Sequence, residues 1–235
     1  MTNTSWPKKM PVLTEKQQKI RSEFMQTWLT VYPDKYSFME EFNHRAIFKG
    51  HRLPKSCKTL EIGAGIGAHI TYEDLKAQEY YALEIRQDFV DQIKAKFPNV
   101  IPVCGDIQQG LDFPDHYFDR ILAIHVLEHL PNLPAALTEI KRLLKPGGYC
   151  EFILPCEGSL AYSLAREISA KRLFKKRYPG VSYDIFIKSE HVNTYADVAG
   201  ELRKSGLLAE RMVYFPFPLP LIFCNLAVGL RCRLK

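Results

Sequence analysis

The sequence predicts an α/β protein with a doubly wound, mostly parallel sheet. Five short apolar runs alternate with helical stretches, and this alternation is typical of β-α-β units. Two further β-rich segments close the chain on either side of a proline-rich stretch, and they predict an antiparallel hairpin. With 235 residues, of which 46% are hydrophobic and 25% charged, the chain can bury a sizeable core without disulfides or metal.

The predicted strands follow from runs of β-branched, aromatic and aliphatic residues. The first five occupy residues 58–62, 80–85, 100–104, 119–124 and 149–154, and the terminal pair occupies 207–215 and 225–234. The clearest helices between them span residues 87–97 and 133–144, and a further helix is expected over 196–204. The turn Pro146-Gly147-Gly148 should end the helix over 133–144, because proline and glycine both interrupt helices.

The ends of the chain predict two additions to the sheet. Residues 14–49 predict amphipathic helices, because Ile20, Phe24 and Trp28 fall on one helical face. We therefore expect an N-terminal helical cap over residues 1–54 and a main domain over residues 55–235. An insertion of roughly 35 residues, 155–190, follows strand five. Connections of that length usually have a function, so we expect the insertion to be a substrate lid.

The composition excludes several classes of protein. The N-terminus has no apolar core for secretion, and no run of about 18 apolar residues could span a bilayer, so we expect a cytoplasmic protein. The six cysteines form no C-x-x-C pair and no group with zinc spacing, which predicts reduced thiols. The net charge is +6, and five cations fall within residues 171–177. This basic run is either a solvated face or a site for an anion.

The segment EIGAGIG, residues 61–67, follows a predicted strand and opens a helical stretch. Glycines at 63, 65 and 67 permit a tight turn and let the backbone approach a ligand closely, so the segment predicts a nucleotide site. The same spacing also satisfies the G-x-G-x-x-G/A dinucleotide fingerprint. The glycines by themselves therefore leave a nicotinamide-dependent oxidoreductase open.

Acidic side chains follow each of the first three strands. A buried Glu61 needs a cation or hydrogen-bond donor beside it, so it either braces the loop amides or contacts an ammonium group. Glu84 lies about 20 residues after the loop, where an acid accepts hydrogen bonds from ribose hydroxyls. Asp106 can accept from the amine of adenine while Ile107 packs on the ring, or it can simply form a turn.

The order of EIGAGIG, YYALE, GDI, FDRILAIHVLEHL and KPGG resembles the motifs of class I S-adenosylmethionine-dependent methyltransferases, over residues 57–154. The resemblance implies a seven-stranded sheet with a reversed last strand and S-adenosylmethionine as the methyl donor. It also implies which residues contact the cofactor. In order from the methionine end through the ribose and adenine to the sulfonium, they are Glu61, Gly63, Ala64, Gly65, Gly67, Glu84, Ile85, Asp106, Ile107, Ala123 and His125.

His125 and His191 are the candidate catalytic bases, because a positioned imidazole can take the proton of a nucleophile. His125 should lie at a strand end facing the cofactor, and His191 is similar to a histidine near the acceptor site of many family members. Glu128 and His129 are two adjacent potential ligands, far fewer than a coordination set requires, so we expect no metal.

The acceptor is expected to be a small polar and anionic metabolite, such as a sugar or sugar phosphate, because the basic insertion attracts anions. The Asn/Asp-Pro-Pro-Tyr/Phe motif of base-methylating enzymes is absent, and so are interleaved aromatics, so no nucleic-acid partner is expected. The tripeptide LEH and the apolar tail favour a ubiquinone-like or lipid acceptor as the alternative. Segment 215–223 and the basic run together would give weak peripheral membrane contact. A non-catalytic binding module is the remaining alternative.

Overall fold

The structure is a computed structural model that describes residues 5–35, 37–48, 53 and 56–235, with the side chains of residues 26, 28–35 and 37 excepted. The predicted boundary between residues 54 and 55 lies outside the described residues, and so does the side chain of Trp28.

One seven-stranded sheet forms the centre of the fold. In chain order its strands are β1 (Cys57–Ile62), β2 (Gln78–Glu84), β3 (Val100–Cys104), β4 (Phe118–Ile124), β5 (Leu144–Pro155), β6 (Leu207–Phe215) and β7 (Ala227–Leu234). They lie side by side in the order β3-β2-β1-β4-β5-β7-β6, and β7 is antiparallel to both of its neighbours. The predicted doubly wound sheet with a reversed last strand and a terminal hairpin is confirmed.

The strand order explains where a ligand can bind. β1 pairs in parallel with β2 on one side and with β4 on the other, so the chain winds outward in two directions from β1. Ligands of doubly wound sheets bind beyond the carboxyl ends of the strands at this reversal. The carboxyl ends of β1, β2, β3 and β4 and the loops that follow them therefore meet at one edge of the sheet, and they include every predicted site residue except His191.

Eight α-helices occur in the described part of the chain. They are α1 (Glu15–Lys35), α2 (Ser37–Arg45), α3 (Gln87–Lys96), α4 (Leu133–Leu143), α5 (Leu160–Arg166), α6 (Arg172–Arg177), α7 (Tyr183–Glu190) and α8 (Tyr195–Ser205). The helical spacing of α4 buries Leu133, Leu137 and Ile140 completely or almost so against the sheet. Within the described ranges, none of these helices is both long and apolar enough to cross a bilayer.

The start of β5 differs from the prediction. α4 ends at Leu143 and β5 begins at Leu144, so Pro146-Gly147-Gly148 lies inside the strand and not in a turn before it. Gly147 has a φ angle of +80°, and a Cβ on Gly148 would lie 2.9 Å from the carbonyl oxygen of Asp119 in β4. Small residues therefore let an irregular stretch of β5 approach β4 closely, which apolar patterning does not reveal.

The two N-terminal helices contact different parts of the protein. Phe24 of α1 packs edge-on against Phe174 and Phe186 of the insertion, with ring centroids 5.1 Å apart in both pairs. Phe42 of α2 packs instead with Ile153 of the sheet. The insertion thus forms a small hydrophobic cluster with α1, and its role as a substrate lid stays a prediction.

Candidate functional site

The glycine-rich loop follows β1 at the reversal of the sheet. Gly63, Gly65 and Gly67 have φ angles of +68°, +57° and +82°, which residues with a Cβ rarely adopt. The amides of Gly63 and Ala64 donate to the carbonyl oxygen of Leu83 at 2.8 and 3.0 Å, which fixes the loop against β2. A Cβ on Gly65 would meet no atom of the described residues within 4 Å. The loop therefore leaves space beside Gly65 that a ligand can fill.

Glu84 ends β2 directly beside this loop. Its Oε2 accepts from the amide of Gly65 at 2.9 Å, and its Oε1 accepts from the amides of Ile85 and Arg86 at 2.9 and 3.1 Å. Because each carboxylate oxygen has two acceptor positions and three of the four are filled, Oε2 of Glu84 can still accept from one hydroxyl group. The side chain of Ile85 is 65% exposed, so it offers an apolar contact at the same edge.

Asp106 and Ile107 follow β3 at the neighbouring strand end. Oδ1 of Asp106 accepts from the amide of Gln108 at 2.9 Å and from its side-chain Nε2 at 3.1 Å, which caps a short turn. Ile107 is buried in the main hydrophobic core. The turn-forming role of Asp106 is thus present, and contact of Asp106 and Ile107 with adenine stays a prediction.

Glu61 is a buried acid near the end of β1. The hydroxyl of Tyr80 donates to its Oε2 at 2.8 Å, and among the described residues no lysine or arginine forms an ion pair with it. Burial raises the pKa of Glu61 to about 8, against the opposing hydrogen bond from Tyr80. A cation placed beside this carboxyl would ionise it and would relieve the cost of its burial.

His125 lies just past the end of β4, two residues after the fully buried Ala123. Its φ angle is +53°. Its Nδ1 lies 3.3 Å from Oε1 of Glu128, and its Nε2 lies 3.0 Å from Oδ1 of Asn43 in α2. A Cβ on Gly63 would lie 2.6 Å from the side chain of Val126. The fold therefore places Val126, the residue after His125, against the glycine-rich loop, and contact of His125 with the cofactor stays a prediction.

His191 lies just after α7, in a different hydrogen-bonded group from His125. Its Nδ1 is 2.8 Å from Oε2 of Glu157, and its ring contacts that of His129 edge-on, with centroids 5.0 Å apart. Burial opposes ionisation of Glu157, but His191 and Arg166 outweigh it and hold the pKa of Glu157 below its ordinary value. His191 is therefore paired with a carboxylate that orients its ring.

Glu128 lies between the two candidate bases. The side chain is only 2% exposed, and its Oε2 has no hydrogen-bond partner among the residues that the structure describes. Burial opposes its ionisation, but the hydrogen bond to His125 and the proximity of His129 hold the pKa of Glu128 below its ordinary value. Burial lowers the pKa of His129 in turn, so this imidazole favours its neutral form.

Sequence analysis missed two residues that the fold places here. Asn43 reaches His125 from α2, 82 positions away, and Glu157 reaches His191 across 34 positions. No motif or spacing marks either residue. A weak signal existed for Glu157, since it follows β5 at the edge of the sheet where ligands bind.

The basic run lies apart from these groups. Arg177 donates to Oγ1 of Thr27 at 2.8 Å, so it joins α6 to α1. Lys175 and Lys176 are exposed and form no ion pair with a described residue. None of the three contacts His125 or His191 through a hydrogen bond within the described ranges.

Comparison with known proteins identifies one matching family. Residues 60–152 match the model of the family described as a methyltransferase domain. The chain is 28% identical over 173 residues to the probable phthiotriol/phenolphthiotriol dimycocerosates methyltransferase 2 of Mycobacterium ulcerans, a match that covers 69% of this chain and 66% of that protein. It is 34% identical over 113 residues to a sterol 24-C-methyltransferase of Neurospora crassa, covering 41% and 27%. The chain thus spans less than two thirds of the length of these relatives.

Solved structures show the same fold. The chain is similar to a TehB-like S-adenosylmethionine-dependent methyltransferase from Corynebacterium glutamicum, with a TM-score of 0.63 and 15% identity. That similarity covers 93% of this chain and all of the other. It therefore extends beyond the central sheet to most of the appended helices.

Proposed function

We propose that this chain, which belongs to the class I S-adenosylmethionine-dependent methyltransferases, transfers the methyl group of that cofactor to a lipid-like acceptor. The observation that carries the transfer is the meeting of Glu61, the open loop at Gly65 and Glu84 at one edge of the sheet, with His125 beside them. The acceptor class is supported by an exposed apolar surface and by the relatives.

The side chains at this edge fit the chemical groups of S-adenosylmethionine. Glu61 forms no ion pair with a described residue, which suits an ammonium group, and Glu84 retains one acceptor position for a ribose hydroxyl. The space beside Gly65 admits the ligand backbone, and Asp106 with Ile107 is assigned to adenine. When bound, the cofactor supplies an electrophilic methyl group on a sulfonium.

His125 is proposed as the group that accepts the proton of the nucleophile. Oε1 of Glu128 accepts from Nδ1, so Nε2 is the nitrogen available for proton transfer. Oδ1 of Asn43, 3.0 Å from Nε2, is a hydrogen-bond acceptor, so it stabilises the ring once Nε2 has taken up the proton. The protein otherwise contributes proximity and alignment of the reacting atoms.

The apolar surface consists of two segments in contact. The first segment is α5 with the residues that follow it, and it exposes Leu160, Leu164 and Ile168 at intervals of four residues. The second segment contains the turn Ile222–Cys224, against which α5 packs. Within that second segment the exposed side chains are Phe217, Leu219, Leu221 and Phe223. Large apolar side chains concentrated in this way mark an interaction site.

Basic residues continue from this apolar surface along the same helical segment. Arg172, Lys175 and Lys176 are exposed and form no ion pair with a described residue. Apolar side chains together with free cations suit an anionic lipid surface. We therefore propose that the protein meets its acceptor at such a surface, and the lipid-related names of its relatives support this class.

A polar, anionic acceptor is the second candidate, because one groove favours it. The groove has a volume of about 420 Å³ and is lined by residues that include Lys8, Lys9, Lys188 and His191. Lys9 and Lys188 form no ion pair with a described residue, so their charges are available to an anion.

Cofactor binding is tested by calorimetry with S-adenosylmethionine. Glu84→Ala should weaken binding by about 10- to 150-fold, because a hydrogen-bonding charged acceptor is lost. Glu79→Ala, an exposed glutamate of the same strand, is the matched control and should bind like the wild type. Equal binding by Glu84→Ala would refute the cofactor site.

The acceptor is tested with a methyl-labelled cofactor and two cell extracts, one of total lipid and one of water-soluble metabolites. We expect label in the lipid, lost in His125→Asn. Label only in the soluble fraction would establish the anionic candidate instead.

Sedimentation with phosphatidylglycerol vesicles tests whether the apolar and basic surface binds anionic lipid. Leu164→Asp should reduce vesicle binding, whereas Leu208→Asp in the hairpin should not.

A further inference from the structure

Three potential metal ligands meet beside the proposed catalytic site. Glu128 and His129 follow β4, and His191 follows α7 more than sixty positions later. Their ligand atoms all lie within 4.8 Å of one another. The sequence reveals only the adjacent pair, which is too small a set for a metal; the fold supplies the third member.

Hydrogen bonds select the same nitrogen of both histidines. Nδ1 of His129 lies 2.7 Å from the carbonyl oxygen of Glu190, and a carbonyl oxygen can only accept, so Nδ1 carries the hydrogen. Nδ1 of His191 donates in the same way to Oε2 of Glu157 at 2.8 Å. Each neutral ring therefore keeps its free lone pair on Nε2. Metal-binding histidines are commonly oriented by such a carbonyl or carboxylate on the other nitrogen.

Glu128 supplies a buried carboxylate oxygen without a partner. Oε1 of Glu128 lies 3.3 Å from Nδ1 of His125 and 3.9 Å from Nε2 of His129, while Oε2 is buried and has no hydrogen-bond partner among the described residues. Leaving a buried charged acceptor unsatisfied is costly. A cation bound at Oε2 would remove that cost.

The backbone holds the two halves of this cluster together. The amides of Val192 and Asn193 donate to the carbonyl oxygen of Glu128 at 2.9 and 3.0 Å. The side-chain nitrogen of Asn193 donates to the carbonyl oxygens of Leu127 and Leu130, both at 2.8 Å. The ligands are thus carried by fixed backbone, which favours a preorganised site.

We infer that Glu128, His129 and His191 form a binding site for a divalent transition-metal ion of the zinc, cobalt and iron class. Two imidazole nitrogens and one carboxylate oxygen suit these ions, whereas Mg²⁺ and Ca²⁺ prefer oxygen ligands. Ligand atoms about 2.1 Å from a tetrahedral ion lie about 3.4 Å apart, so binding draws the three side chains inward by about an ångström. His191 also lines the open groove near Lys8, which gives an ion access from solvent.

The inference is tested with Co²⁺ on tag-free, chelator-treated protein, by its visible absorption and by calorimetry. We expect one equivalent of Co²⁺ to bind with a nitrogen and oxygen spectrum. Glu128→Gln, His129→Ala and His191→Ala should each weaken binding by at least about tenfold. His116→Asn, an exposed histidine at the start of β4, is the matched control and should bind like the wild type.

Several results would overturn the site. Absence of stoichiometric binding in the wild type would do so, and so would equal binding by the three variants. Near-ultraviolet thiolate bands that vanish in Cys104→Ser would locate the ion at that exposed cysteine instead. Thermal unfolding checks that each variant is folded. If Glu128→Gln does not fold, loss of Co²⁺ binding by a correctly folded His191→Ala is sufficient to support the site. The result does not depend on methyl transfer, so it stands or falls separately from the proposed function.

Discussion

Replacing Glu61 with glutamine should make the protein more stable at alkaline pH. Burial raises the pKa of Glu61 from the ordinary 4.5 to about 8. Between these values the folded chain holds a proton that the unfolded chain has released. The unfolded state then binds fewer protons, so the free energy of unfolding falls as the pH rises, by about 1.4 kcal/mol per pH unit. Over the whole interval the loss amounts to about 5 kcal/mol.

Urea unfolding at pH 6.5 and pH 8 measures this effect. The stability of Glu61→Gln relative to the wild type should increase by about 2 kcal/mol between the two pH values, because glutamine does not ionise. Taking the difference between the two proteins cancels the titration of other groups, including the buried His69, whose pKa burial lowers. Glu79→Gln, in which the replaced acid is exposed, should show no such increase. A constant difference between Glu61→Gln and the wild type would refute the buried, protonated acid.

Three further predictions concern proton release and packing. Binding of S-adenosylmethionine below pH 8 should release a proton from Glu61. Calorimetry in two buffers of different ionisation enthalpy measures this proton release, which should be absent in Glu61→Gln. An equal release by both proteins would contradict the prediction. Arg120→Met should cost about 3–5 kcal/mol in urea unfolding, because it removes the buried cation shared by Glu73 and Glu151, which then keep only His69 and Arg231 as ion-pair partners among the described residues; a loss below about 1 kcal/mol would contradict this. Phe174→Ala should cost about 3–5 kcal/mol and should increase proteolysis within α1, and unchanged cleavage of α1 would contradict the packing of α1 on the insertion.

The sheet could be predicted because its signals are local. Each central strand is a short apolar run flanked by polar or turn residues, and β2, for example, buries its residues from Tyr80 to Leu83 on both faces. The positive φ angles of Gly63, Gly65 and Gly67 likewise follow from residue type. The predicted start of β5 was wrong because Gly147 and Gly148 lie where β5 approaches β4 closely. The sequence alone does not show whether a glycine ends a helix or allows a neighbouring strand to come close.

The remaining parts of the site depend on contacts between distant segments. An amphipathic helix has an apolar face, but its sequence does not specify what that face covers, so the packing of α1 on Phe174 was not foreseen. In the same way Asn43 has no motif, and it becomes relevant only because α2 lies over the end of β4. His191 was predicted as a base from its place in the chain, whereas its pairing with Glu157 and His129 arises from the tertiary structure.

Glu128 links the proposed methyl transfer to the proposed metal site, and this makes the two assignments separable. Oε1 of Glu128 faces Nδ1 of His125 and lies 3.9 Å from Nε2 of His129, and Oε2 has no hydrogen-bond partner in the described part of the chain, so Glu128→Gln should impair both proton acceptance and Co²⁺ binding. His125→Asn retains a residue type that tolerates a positive φ angle, and it should lose methyl transfer while it still binds Co²⁺. His191→Ala should lose Co²⁺ while it still binds S-adenosylmethionine, because within the described ranges His191 shares no hydrogen bond with Glu84 or the glycine-rich loop. If His125→Asn and His191→Ala lost the same property, Glu128 would belong to one combined site, and the separation of proton transfer at His125 from metal binding at His191 would be wrong.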